Sequence, residues 1–103
     1  MGRNITEIAR VIRSKNAGPF ELTFDIIFKD EKSYLEVKSQ KVINKELISR
    51  LYRIDQEQIV SIIYFDPALA VKITIIRPIS AGAPGERDVY GAQQHGPLLT
   101  IEI

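Results

Sequence analysis

Period-two alternation of apolar and polar positions marks two stretches of the chain. Phe20, Leu22, Phe24, Ile26 and Phe28 alternate with Glu21, Thr23, Asp25, Ile27 and Lys29. Successive side chains of an extended chain point to opposite faces, so this pattern predicts a half-buried strand. Leu69, Val71, Ile73 and Ile75 alternate in the same way with Ala70, Lys72, Thr74 and Ile76, and predict a second strand that stops before Arg77-Pro78. Between them the run Ile59-Val60-Ser61-Ile62-Ile63-Tyr64-Phe65 is almost continuously apolar and rich in β-branched residues, as an interior strand would be. At the end of the chain, Leu99, Ile101 and Ile103 share one face of a further predicted strand over 98–103.

The period changes to that of a helix in the middle of the chain. Asp30 is placed to cap a short helix carrying Glu31 in its first turn and then Tyr34, Leu35, Val37 and Lys38. Asn44 can cap a second, whose Leu47, Ile48, Leu51 and Tyr52 form one apolar stripe while Lys45, Glu46, Ser49, Arg50 and Arg53 face water. Asp55-Gln56-Glu57-Gln58 reads as a capped turn. Asp66-Pro67-Ala68 reads as a tight connection, with Asp66 a turn residue, because proline fixes φ and removes a ladder donor. The stretch Asn4 to Ser14 admits two readings. Ile5, Ile8 and Ile12 recur at helical spacing behind a cap at Asn4 with Glu7 three residues on, whereas the β-branched pair Val11-Ile12 running into Ser14-Lys15-Asn16-Ala17-Gly18-Pro19 suits a strand that feeds a hairpin turn.

Helices inserted as one block between runs of strands define an α+β domain. The expected architecture is a ferredoxin-like two-layer sandwich, with a mostly antiparallel sheet and the helices on one face. At 103 residues the chain is sized for one domain over 1–103, and 45% apolar with 26% charged residues is ordinary globular composition. A net charge of +1, with lysine and arginine spread along the chain, argues against nucleic acid as the main partner. No apolar stretch approaches the roughly 20 residues of a bilayer span, and charges at Glu7, Arg10 and Arg13 break any leader-like core, so a cytoplasmic protein without membrane association is expected. With no cysteine, thiolate chemistry and disulfides are excluded.

Candidate chemistry gathers in two places. The run Gly82 to Pro97 is too long for a simple turn and packs Arg87, Asp88, Tyr90, Gln93, Gln94 and His95 into nine positions. His95 is the single histidine, and with Asp88 it forms the candidate acid–base pair, while Arg87, Tyr90, Gln93 and Gln94 are candidate ligand contacts. The spacing of Gly82, Gly85, Gly91 and Gly96 does not match a phosphate-cradling loop, and one histidine without cysteine argues against a zinc site, so no metal is assigned. The second place is Arg13, Ser14, Lys15 and Asn16, a candidate anion site in the predicted turn before Gly18-Pro19. A hydrated turn and a structural Arg87–Asp88 ion pair account for the same residues without any ligand.

Three blocks carry a family resemblance: Ile8 to Glu21, Phe65 to Ala70, and Asp88 to Leu99. They resemble the signature blocks of a small prokaryotic domain family of unknown function, associated with the acyclic terpene utilisation proteins and occurring beside or fused to the large domain of that group. A fainter similarity links Ala9 to Gly18 to the small C-terminal domain of those proteins, described as ferredoxin-like. Its Ala-x-x-Arg-Ser-Gly-Asp-Lys-Gly start precedes a strand. The present chain lacks the Gly-Asp pair, but the likeness favours strand over helix for Ile5 to Arg13. The resemblance implies a companion subunit or detached domain that docks on a larger acyl-CoA or terpenoid-acid processing protein and lends polar loop residues to a shared site. The alternatives are a self-sufficient homo-oligomeric lyase or hydratase acting on a carboxylate or CoA thioester, with His95 as acid–base and Arg13 or Arg87 as anion clamp, and a non-catalytic scaffold. The residues identify no cofactor and leave open whether the chain is an enzyme.

Overall fold

The structure is a computed structural model that describes residues 4–18, 20–76 and 96–102. Its elements run in the order α1 (Ile5–Ile8), β1 (Ala9–Gly18), β2 (Glu21–Phe28), α2 (Glu31–Ser39), α3 (Lys45–Tyr52), β3 (Ile59–Phe65) and β4 (Ala70–Ile76), with a 3-10 segment over Gly96–Thr100. The four strands form one antiparallel sheet in the order β1-β2-β4-β3. The expected α+β sandwich is thus present. Its two hairpins are joined through the helical block, which keeps α2 and α3 in a single connection.

Alternation decides which side of the sheet is covered. Leu22, Phe24, Ile26 and Phe28 of β2 and Val71, Ile73 and Ile75 of β4 are all buried on one face, against Tyr34 and Val37 of α2, Ile48 of α3 and Ile43 between the helices. Phe24 stacks on Tyr52 with ring centroids 4.8 Å apart, a geometry in which aromatic pairs gain beyond their area. Both helix caps form as read from the sequence. The Asp30 side chain accepts from the Ser33 N–H at 2.7 Å, and the Asn44 side chain accepts from the Leu47 N–H at 2.8 Å.

Four local expectations are corrected. The stretch Asn4 to Ser14 is neither strand nor helix throughout: Asn4 and Glu7 close a capping box on the one-turn helix α1, and the strand begins at Ala9, so the strand reading of Ile5 to Ile8 does not hold. The predicted turn at Ser14 to Pro19 is instead strand to Gly18, because Ser14, Lys15 and Asn16 pair with Phe24, Thr23 and Leu22. The hydrogen-bond ladder of β2 outweighs the local turn preference of serine, asparagine and glycine. The run Ile59–Phe65 is not interior. It is the edge strand beyond β4, with a bulge at Val60 where Ile59 and Ser61 face consecutive positions, Ile75 and Thr74. The C-terminal segment is a 3-10 segment and not a strand. Leu98 and Ile101 are both buried, three residues apart as that helix requires, and only an isolated bridge ties Glu102 to Asn4. The Ile5 N–H donates to the Ile101 carbonyl at 2.8 Å, which seals α1 and the C-terminal segment over one end of the core.

Truncating the centre of this core should be expensive: Phe24→Ala is expected to cost about 3–5 kcal/mol in urea unfolding, and Asn44→Ala about 1 kcal/mol through its cap. Arg53 ends α3 in the left-handed region at φ 56°, and it is exposed. Arg53→Gly should therefore raise stability by up to about 1 kcal/mol in the same measurement.

Candidate functional site

The face of the sheet opposite α2 and α3 carries the other half of each alternation. Pairing places its residues in rows across the strands. Val11, Ile27, Ala70 and Phe65 make an apolar row. The next row is Arg13, Asp25, Lys72 and Ile63, and the third is Lys15, Thr23, Thr74 and Ser61. Arg13 Nε donates to Asp25 Oδ2 at 3.2 Å directly across the β1–β2 pair. The Thr23 and Thr74 hydroxyls face one another at 3.5 Å.

These rows enclose a groove of about 460 Å³, lined by Arg13, Lys15, Asp25 and Lys72 on its charged side and by Ile27, Ile63, Phe65, Ala68 and Ala70 on its apolar side. Its volume lies within the roughly 300–1,000 Å³ of small-molecule sites. Ile63 and Phe65 are 50% and 53% exposed there, high values for large apolar side chains standing next to each other on one strand face. Among the described residues Asp25 is the sole carboxylate of the lining; its side chain is only 14% exposed and is paired with Arg13. Among the described residues neither Lys15 nor Lys72 has an ion-pair partner. Among the described residues the groove thus presents two ammonium groups without an ion-pair partner, beside a guanidinium and an apolar floor.

The predicted site residues divide. Arg13 and Lys15 reach the groove together, two residues apart on the exposed face of β1. Ser14 is buried and, with Asn16, lies on the opposite face, paired with Phe24 and Leu22, so the four residues of the predicted anion turn do not converge. Arg87, Asp88, Tyr90, Gln93, Gln94 and His95 lie outside the described residues. Sequence reasoning missed Lys72, Asp25, Ile63 and Phe65. Lys72 and Asp25 stand at the polar positions of the two clearest strands, but only the register puts them side by side in the row with Arg13.

A second polar cluster binds the helical layer to the β3–β4 hairpin. The buried Tyr34 hydroxyl donates to Asp66 Oδ1, and Lys38 Nζ donates to Asp66 Oδ1 at 2.8 Å and Oδ2 at 3.1 Å. Burial and then the Asp66 carboxylate push the Tyr34 phenol well above its ordinary range, and burial does the same for Tyr52. The Lys38 ammonium, followed by the Tyr34 hydroxyl, holds the Asp66 carboxyl below the usual carboxylate range. The backbone explains its placement: Asp66 opens the 3-10 turn Asp66–Ala68, and Leu69 closes it in the left-handed region at φ 53°. Tyr34 also packs on Phe28 and Tyr64, and the Tyr64 hydroxyl donates to the Ile43 carbonyl at 2.8 Å. Every donor and acceptor named here is committed to joining elements, so the cluster braces the fold. Asp66 is a turn residue, and in addition it anchors α2.

Among the described residues no group of three or more histidine, aspartate or glutamate side chains is placed to hold a metal ion, and no helix is long and apolar enough to cross a membrane. Fold and groove together define an antiparallel α+β sandwich whose second sheet face carries no helix among the described residues and presents Arg13, Lys15 and Lys72. The chain belongs to the family described as a domain of unknown function, DUF4387, whose profile matches residues 5–102. Comparison with curated proteins and with solved structures yields no match.

The Asp66 cluster makes one contribution to stability that depends on acid pH. A carboxyl whose pKa is lower in the folded state stabilises the fold above its unfolded value, and that contribution is lost as pH falls through the folded value. The stability difference between the native chain and Asp66→Asn, measured by urea unfolding, should be constant above about pH 5 and shrink as pH drops below the ordinary aspartate value of 3.8. Tyr34 and Tyr52 act in the opposite direction. Their raised values mean that stability falls as pH rises above the ordinary tyrosine value of 10.0, and Tyr34→Phe should reduce that alkaline loss.

Proposed function

We propose that this domain is a companion subunit or detached domain of a larger acyl-CoA or terpenoid-acid processing protein, of the acyclic terpene utilisation type, in a cytoplasmic setting. The observation that carries the reading is the edge strand β3. Val60, Ile63 and Phe65 of this strand are all at least half exposed, and among the described residues no strand pairs with its outer edge. An apolar, unpaired edge is a template for association, and chains that remain alone blunt such edges with charge, proline or cover. The bulge at Val60 twists part of the edge but adds no charge. A partner pairing along β3 covers Phe65 and Ile63 at the rim of the groove and turns that groove into a site shared between two chains. In this reading Arg87, Asp88, Tyr90, Gln93, Gln94 and His95 complete the shared site from the polar loop.

The test is recovery of the tagged chain from its native cells, with identification of what accompanies it in stoichiometric amount. One large partner is expected. Ile63→Lys and Phe65→Asp should release it while shifting the stability of the isolated chain by no more than about 0.5 kcal/mol, as befits surface positions. Arg87→Ala and His95→Ala should lower turnover of the complex more than its assembly. Recovery of the chain alone as a homo-oligomer with turnover of its own would replace this reading with the self-sufficient enzyme.

A further inference from the structure

The groove chemistry goes beyond docking and stands without it. We propose that the open sheet face binds an amphipathic anion: a carboxylate or phosphate head seated among Arg13, Lys15 and Lys72, carrying a short apolar tail that lies over Ile27, Ile63, Phe65 and Ala70. Charge complementarity argues for the head. Among the described residues Asp25 is the one carboxylate in the lining, and it is already bonded to Arg13, so there Lys15 and Lys72 keep two positive charges without a counter-ion.

Register argues for convergence. Arg13 and Lys72 flank Asp25 across adjacent strands, which sets their backbones ~10 Å apart, and Lys15 is one pleat period, ~7 Å, along β1. The long stems of lysine and arginine give all three charged heads the reach to meet one anion above the middle strands. A single anion at that point relieves their mutual repulsion and takes charge-assisted hydrogen bonds from each. The apolar row Val11, Ile27, Ala70 and Phe65 argues for the tail. It runs parallel to the charged row one pleat period away, ~7 Å, so a molecule crossing both rows places its head and a few methylenes on matching surfaces. Each methylene taken from water contributes about 0.8 kcal/mol. A purely polar anion leaves Phe65 and Ile63 wet, and a purely apolar ligand leaves the ammonium groups without an acceptor.

The isolated chain suffices for the test. Amide resonances are followed by NMR during titration with octanoate, octyl phosphate and octylammonium. One or both anions should give saturable shifts at Arg13, Lys15, Ile63, Phe65 and Lys72, and octylammonium should bind at least about tenfold more weakly. The stronger of the two anions identifies the head as carboxylate or phosphate. Lys72→Ala and Lys15→Ala should each weaken the anion about tenfold, the loss expected for one charge-assisted hydrogen bond, while Lys32→Ala, on α2 and away from the groove, leaves it unchanged. Unchanged resonances elsewhere show that the variants fold. The proposal is overturned by equal binding of octylammonium, by shifts that map away from the groove, by the absence of saturable shifts, or by anion binding that survives both lysine substitutions. Because the partner plays no role in this titration, anion binding without a co-purifying partner would sink the docking reading alone, and a partner without anion binding would sink the groove alone.

Discussion

The antiparallel pairing of β2 with β4 is the constraint on which the remaining structure rests. Seven consecutive pairs, from Glu21–Ile76 to Ile27–Ala70, run without a bulge through the centre of the sheet. Because side chains alternate, this register fixes at once which residues are buried and which are not: Phe24 opposite Ile73 on the covered face, Asp25 opposite Lys72 on the bare one. A slip of one residue would turn Leu22, Phe24, Ile26 and Phe28 to water, and burying four large apolar side chains contributes about 1.5–3 kcal/mol each. Against a net stability of order 5–15 kcal/mol, that penalty leaves a single register accessible. The geometry of the groove is therefore inherited from the core.

The outer strands both contain bulges: Arg10 and Ala17 in β1, Val60 in β3. Each bulge restores alternation after the chain has met another demand. Ala9 must be buried next to α1, and the bulge at Arg10 lets Ile12 still face the core. The Asp66 cluster sets the position of the β3–β4 hairpin relative to α2, since the capped 3-10 turn, the Tyr34 hydroxyl and the Lys38 ammonium all meet at one carboxylate. Phe65 immediately precedes that turn and Ala68 lies within it. One wall of the groove is thus braced from the helical side of the sheet.

Most of the architecture was legible in the residues because its causes are local. The caps at Asn4, Asp30, Asn44 and Asp55, the period of two in β2 and β4, and the helical stripe of α3 all report interactions within a few positions. What was not legible depends on pairing between distant segments. Ser14 to Gly18 has turn composition, yet β2 supplies a ladder partner that outcompetes the turn. Ile59 to Phe65 has the composition of an interior strand, but strand order is a property of the whole chain, and it put β4 inside and β3 at the edge. The 3-10 packing of Leu98 and Ile101 is set by α1, whose N-terminal end donates from Asn4 and Ile5 to the Leu99 and Ile101 carbonyls. The site follows the same rule. Arg13 and Lys15 were visible as cations, whereas Lys72 joined them only through the β2–β4 register.

The apolar residues on the sheet face opposite the helices are not distributed as ordinary exposure would place them. A solvated sheet face needs polar residues at its outward positions, and this one has Glu21, Lys72 and Thr74, while Thr23 on the same face is buried. The exceptions are not scattered. Ile27, Ala70 and Phe65 lie in one row and Ile63 beside them, all toward the end of the sheet closed by the Asp66 turn. Scattered exposed apolar residues follow from composition alone, but a contiguous patch bordered by like charges does not, because it costs solvation of the apolar area and repulsion among the cations together. Substituting Ile63 or Phe65 by threonine would keep strand propensity and lower the first cost, and replacing Lys72 by glutamine would lower the second. Neither change touches the core face that fixes the register. Both costs would fall if the apolar row and the cations were covered together, which is the arrangement proposed for this face.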